Sequence, residues 1–331
     1  MSEDCSQPAC GRLRLHNDLQ RAFTASLIHP EWPAPSGVLA VTTTRVDPAP
    51  SQRSAYGFNI GTRCGDDPTQ VARNREFLRD ALALPSEPAW LRQVHGIAVA
   101  RFSPLPRAGE DGTRATQTGE GSDTLSPQDP AADAAVTRKC GVACAASSQA
   151  SLPPLAGEGA RRADEGDGAT EPEADAAVTR ASGVVLAIQT ADCLPVLFCT
   201  RDGSAIAAAH AGWRGLAAGV LEATLVALDA PREHVMAWLG PAIGRTSYEV
   251  GAEVRAAFLA HDPAAQAAFT ATRPGHWYCD LYALARQRLH AAGVTQVFGG
   301  TFDTLTDARL HSYRRDGALS GRMVSLIWMA R

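Results

Sequence analysis

One stretch constrains the fold more than any other: GVVLAIQTADCLPVLFCTRDGSAIAAAHAGWRG, from Gly183 to Gly215. Two apolar runs inside it, Val184 to Ile188 and Ala205 to Ala209, have the length of buried strands. Each run ends in polar residues. The first delivers Thr190, Asp192 and Cys193; the second delivers His210, Trp213 and Arg214. Strands this apolar are buried in a sheet, and their chemistry then gathers on the loops just past their ends. Cys193 and His210 are donors that suit zinc, and His95 in LRQVHG is the obvious third.

Three protein ligands on a tetrahedral ion leave one position open, the catalytic rather than the structural arrangement. That position would take a water, which the metal acidifies, or a substrate oxygen. Asp192 could orient a ligand from behind and is the candidate for moving protons; its plainer use is a turn cap. The same atoms also support a nucleophilic reading, with Cys193 as thiolate and His210 as its base in an acyl or amide hydrolase. His95 is then left without a role.

HAGWRG puts Arg214 at a strand-to-helix turn, where free N–H groups favour an anion. Arg45, at the end of GVLAVTTTR, and the Arg314–Arg315 pair could join it around a phosphate or carboxylate; for Arg315 an ordinary ion pair is the better reading. Asn59 in GFNIG could hydrogen-bond a substrate, or simply form a turn.

Along the chain, residues 1–36 show no clear period and read as a loose lead-in. Asp66 or Asp67 should cap a helix running to about Leu84, with Pro68 in its first turn. Pro88 to Phe102 reads as strand, turn, strand. Residues 104–173 are rich in Gly, Ala, Pro, Glu, Asp and Thr, and are expected to be a disordered insertion. They carry a partial copy of their surroundings: ADAAVTR occurs at Ala132–Arg138 and again at Ala174–Arg180. A helix follows Gly215, His234 to Gly244 is a strand and glycine loop, and Ser320 to Met329 is a terminal strand. Intermixed helices and strands over 331 residues fit one α+β, or mixed α/β, sandwich spanning 37–331 around the insertion.

The formal net charge of −4 gives no electrostatic case for nucleic acid or an anionic membrane. No apolar run is long enough to span a bilayer, and the acidic N-terminus does not resemble a signal peptide, so a cytoplasmic protein is expected. Eight scattered cysteines suit free thiols or ligands rather than a disulfide framework. Lys139 is the sole lysine, which excludes a Walker-type phosphate loop and argues against Schiff-base chemistry.

The motifs VTTTR, GFNIG, GDDPTQVARNR, WLRQVHG, ADAAVTR, TADCLPVLF, AAHAGWRGLAAGV, GPAIGRTSYEVG and SYRRDGALSGRMVSLIW occur in the order seen in the YfiH-like family, formerly called multicopper polyphenol oxidase or laccase-domain proteins. The resemblance covers about residues 37–329 apart from the insertion. It implies a sandwich similar to the catalytic domain of cytotoxic necrotizing factor toxins, and a zinc held by His95, Cys193 and His210. It also implies a purine nucleoside phosphorylase acting on adenosine, inosine and methylthioadenosine, with adenosine deaminase activity. Small-molecule nucleoside and phosphate are the implied partners, for a monomer or homodimer. Two alternatives stand beside this: a Cys193 amide hydrolase editing peptidoglycan precursors, and a laccase-like polyphenol oxidase. A third is a non-catalytic role with the insertion as a tether. The chain departs from the family where Arg63, Cys64, Gly65 and Asp66 replace HVGD, and where cysteines are missing before SYRR and after GPAIG. So few thiols and scattered histidines count against a multicopper centre, which makes copper less expected than zinc.

Overall fold

The computed structural model describes residues 18–48, 54–103 and 171–330. The largest sheet has six strands. They are β2 (Val99–Phe102), β3 (Ala176–Thr179), β5 (Leu194–Thr200), β6 (Ile206–Ala211), β7 (Val235–Leu239) and β11 (Gln296–Gly299), in the order β11-β7-β5-β6-β3-β2. The outer pairs β11–β7 and β2–β3 are parallel, and the three inner pairings are antiparallel. A three-stranded antiparallel sheet, β1 (Val38–Thr42), β12 (Met323–Met329) and β4 (Val185–Thr190), lies against it. A small third sheet joins β8 (Glu249–Gly251), β10 (His276–Cys279) and β9 (Phe269–Ala271).

The alternation of side chains along the strands sets the layers. Leu194, Val196 and Phe198 of β5 face one way, with Ala207 and Ala209 of β6. They bury against the helices α3 (Trp213–Ala218), α4 (Val220–Leu228), α5 (Ala252–Leu259) and α6 (Leu281–Ala291). Leu197, Cys199, Ile206 and Ala208 face the other way, onto Leu186, Ile188, Met323 and Ile327 of the smaller sheet. That sheet's outer residues, Val185, Ala187, Val324, Leu326 and Trp328, are covered by a helix over 18–26 (α1) and by α2 (Pro68–Ala81) through Phe23 and Leu78. The architecture is a four-layer sandwich of helices, sheet, sheet and helices, a mixed α/β fold. No described helix is long and apolar enough to cross a membrane.

Several boundaries differ from the sequence reading. Residues 18–36 are not loose: Phe23 is 1% exposed and Ile28 pairs with Thr42. The helix expected up to Leu84 stops at Ala81, capped at its start by the Asp67 side chain on the Thr69 N–H. The helix after Gly215 is two helices, because Gly219 adopts φ +104° and ends the first with a left-handed residue. The second copy of the duplicated heptapeptide is β3 itself; the first copy lies outside the described residues, as does all of the expected insertion but 171–173. Those last residues are built into the fold: Glu171 pairs with Arg63 and Arg75, and the Arg92 N–H donates to the Pro172 carbonyl. A short seventh helix, α7 (Tyr313–Asp316), precedes β12.

Candidate metal centre

Strand register brings the site together. Ala176 of β3 lies opposite Ala209 of β6, so one position further along Asp175 meets His210. The His210 N–H donates to the Asp175 carbonyl (2.7 Å), and the His210 Nδ1–H donates to Asp175 Oδ1 (2.8 Å). Asp175 is 0% and His210 3% exposed. The same carboxylate accepts three backbone N–H groups from the loop before β2: His95 on Oδ1 (2.9 Å), and Val94 (3.1 Å) and Gly96 (2.6 Å) on Oδ2. Four donors on a buried carboxylate compensate its desolvation. Burial alone would raise the pKa of Asp175, but the bonds from His210 and the loop N–H groups outweigh it and hold the group below the usual carboxylate range.

One buried aspartate thus fixes two of the three expected ligands. It leaves His210 Nε2 with a free lone pair, and it holds His95 in the left-handed region at φ +62°, where a non-glycine residue is strained. The Gln93 side chain ties the same loop to β4, donating to the Gln189 carbonyl and accepting its N–H, both at 2.8 Å. Cys193 arrives from the β4–β5 turn. His95, Cys193 and His210 place their ligand atoms within 4.8 Å of one another, and Cys193 Sγ lies 3.9 Å from His95 Nε2. Donors on a tetrahedral zinc sit about 3.5 Å apart, so small side-chain rotations would close the three on one ion. Among the described residues this is the one group of three or more His, Cys, Asp or Glu side chains that could hold a metal. The donor set of one sulfur and two imidazoles fits a borderline cation such as zinc and falls far short of a multicopper cluster.

Gly212 closes the back of the site. A Cβ there would stand 2.9 Å from His95 Cδ2 and 3.1 Å from Cys193 Sγ. Gly215 lets α3 approach the same loop, since a Cβ would lie 2.8 Å from the Gly96 carbonyl oxygen. In the metal-free protein the site is a charge pair. Burial raises the Cys193 thiol, but His210 and then His95 more than offset it and bring it down to about 6. Burial lowers His210, but the Cys193 charge and the Asp175 bond push it up to about 9.

Asp192 sits beside Cys193 at φ +80°, and its two oxygens are both committed. Oδ1 accepts the Thr304 hydroxyl (2.5 Å) and Oδ2 the Arg314 N–H (2.6 Å). It ties the segments at 304 and 314 to the ligand-bearing turn and touches none of the three ligands by a hydrogen bond. Arg214 is exposed, with its guanidinium 4.5 Å over its own Trp213 ring. Two expected site residues have other work. Arg45 is ion-paired to Asp316 at 3.2 Å. Asn59 is fully buried, donating to the Gly61 carbonyl (3.2 Å) and Asp66 (3.0 Å) and accepting from the N–H groups of Gly61 (2.9 Å) and Arg322 (2.8 Å). Its amide staples the loop to the start of β12 and has nothing left for a substrate, which is the turn-forming use of GFNIG. Arg315 grips Asp316 and four carbonyls between 304 and 310, a structural part. Asp175 and Gly212 were not singled out from sequence. Asp175 could have been noticed as the lone charge opening a strand of alanines.

A half-buried cysteine and two histidines, positioned by a buried carboxylate at the ends of a mixed sheet, form a group that could hold a metal ion. The family model for multi-copper polyphenol oxidoreductase laccase matches residues 39–153 and 156–330, and the chain belongs to that family, the YfiH-like proteins. It is 41% identical over 313 residues to a purine nucleoside phosphorylase of Xylella fastidiosa (strain Temecula1), covering 93% of this chain and 98% of that one. It is 39% identical over 306 residues to the purine nucleoside phosphorylase YfiH of Escherichia coli (strain K12), covering 92% and 99%. Among solved structures, the Neisseria meningitidis protein NMB0706 matches with a TM-score of 0.68 and 37% identity, over 92% of this chain and 100% of that one. YlmD from Geobacillus stearothermophilus shares the fold, with a TM-score of 0.63 at 23% identity over 89% of this chain and 93% of that one.

Proposed function

We propose that the protein is a zinc-dependent purine nucleoside phosphorylase, acting on adenosine, inosine and methylthioadenosine, with adenosine deaminase activity. The observation that carries the reading is the convergence of Cys193, His95 and His210 within 4.8 Å, on a scaffold shared with relatives named for that activity. His95, Cys193 and His210 would hold the zinc, which would supply a Lewis acid there. The chain's own part is orientation. Asp175 keeps the proton of His210 on Nδ1 and holds the His95 loop; Asp192 fixes the rim segments at 304 and 314 next to Cys193. Phosphate-dependent release of hypoxanthine and ribose 1-phosphate from inosine, and of inosine from adenosine, followed chromatographically, tests the two activities. No phosphate-dependent product from metal-replete protein refutes the first. With this reading goes the kinship of the sandwich to the catalytic domain of cytotoxic necrotizing factor toxins, to be tested by superposing the Cys–His pair, and a cytoplasmic location.

The second reading, a Cys193 amide hydrolase, is favoured by one observation: the Cys193 sulfur and the His210 ring nitrogen lie within 4.8 Å of each other, a closeness that pulls the thiol down to about 6, as a nucleophilic cysteine needs. Iodoacetamide labelling separates the two. Protection that ends when a chelator strips the metal supports the zinc site, and labelling at full rate in metal-replete protein supports the nucleophile.

A further inference from the structure

Most arginines around the centre are neutralised. Arg45 and Arg315 share Asp316, and Arg63 and Arg75 share Glu171. Arg214 and Arg314 are different: both are exposed, and neither guanidinium meets a carboxylate among the described residues. Each is nonetheless held in place next to a ligand. Arg214 lies two residues from Gly212, the glycine packed on all three ligands, and rests on Trp213. Arg314 is fixed through its own N–H on Asp192, the neighbour of Cys193. Its guanidinium lies 5.4 Å over the Tyr248 ring and donates to the Glu249 carbonyl at 3.2 Å, while the Glu249 carboxylate is taken by Thr272 and Arg273. The rings that carry the two guanidiniums, Trp213 under Arg214 and Tyr248 under Arg314, both pack against the same hydrophobic core cluster.

We infer that Arg214 and Arg314 form an oxyanion subsite beside Cys193 that binds inorganic phosphate. Two forked guanidiniums without a counter-charge match a dianion's geometry and charge. The inference rests on the phosphorylase reading for its role. One phosphate oxygen forms the bond to ribose C1′ as the C1′–N9 bond breaks. The bonding pair leaves with the purine, and the proton of hydrogen phosphate passes to the purine, directly or through water. Arg45, ion-paired to Asp316, takes no part.

The test is calorimetric titration of inorganic phosphate into metal-replete protein without nucleoside. The variants are Arg214→Gln, Arg314→Gln and Arg314→Lys. The control is Arg201→Gln, an exposed arginine past the opposite end of β5. Metal content is measured on each to show that the centre is intact. We expect Arg314→Gln and Arg214→Gln to weaken phosphate binding about tenfold or more, Arg314→Lys to restore part of it, and Arg201→Gln to change nothing. In turnover, KM for phosphate should rise with KM for inosine unchanged. Phosphate that binds through these arginines in a protein that cleaves no nucleoside keeps the subsite and overturns the phosphorylase. Phosphorolysis whose phosphate dependence ignores both arginines, or wild-type protein that binds no phosphate, overturns the subsite.

Discussion

Replacing Asp175 by Asn is the perturbation that the structure resolves most finely. The side chain keeps its size and loses its charge and one acceptor. Oδ1 now serves His95 N–H and His210 Nδ1–H, and Oδ2 serves Val94 and Gly96 N–H. Whichever oxygen becomes the amide nitrogen, two donors lose their acceptor and face a third donor. Bonds to a buried charged group are worth roughly 1.5–3 kcal/mol each, so the variant should lose roughly 3–5 kcal/mol of stability, the range seen when one partner of a buried charged pair is removed. In this chain that corresponds to a drop in Tm on the order of 10 °C. Metal affinity should fall about 10- to 100-fold, because His210 is no longer held in the ligating tautomer. Competitive titration against a chromophoric chelator measures the affinity, and calorimetry the stability. An Asp175→Asn protein with wild-type affinity and Tm would show that the carboxylate positions neither histidine.

Other consequences are more local. Gly212 has φ −61°, which any residue accepts, so Gly212→Ala should fold normally yet bind metal at least about tenfold more weakly, because its methyl would press on His95 and Cys193; unchanged affinity by the same titration would remove Gly212 from the site. In metal-free protein, Cys193 alkylation should rise with pH through about 6 and level off before the ordinary thiol value of 9.0, and a single rise near 9 would contradict the charge pair. The linked stability follows the signs of the two shifts. The share from Cys193 is lost as pH falls through about 6, and that from His210 as pH rises through about 9, so the metal-free Tm should peak between them. Replacing 107–169 by a linker should leave metal binding unchanged, provided the linker reaches. Phe102 lies opposite Thr179, and the eight residues back to Glu171 span about 26 Å, more than the few residues left by a direct join can cover.

The centre was legible where chemistry ends an apolar run. Cys193, His210 and His95 are soft or borderline donors, and a strand that must be buried leaves such residues at its end few other uses. Asp175 offers one signal, a charge opening an alanine-rich strand, but that signal names no partner; only the β3–β6 register gives it His210. The turn-forming use of Asn59 was legible in GFNIG, but not its bond from Arg322, nor the pairing of Arg45 with Asp316, since these partners lie more than 250 positions away. Strand β5 was obscured by Pro195, which normally argues against a central strand; it sits at the strand's start, opposite His210. Gly219 lies inside a continuous helical pattern, and only its backbone angle shows the break. The three strands of the smallest sheet are three or four residues long, too short for a period to show.

The central claim is that one sulfur and two imidazoles hold a single ion, and cobalt substitution tests it most directly. Wild-type protein should take up one cobalt per chain with a thiolate-to-metal charge-transfer band; Cys193→Ser should lose the band, and His95→Ala and His210→Ala should lose the ion. Undiminished cobalt with an unchanged spectrum in all three variants would place the metal elsewhere and contradict the account.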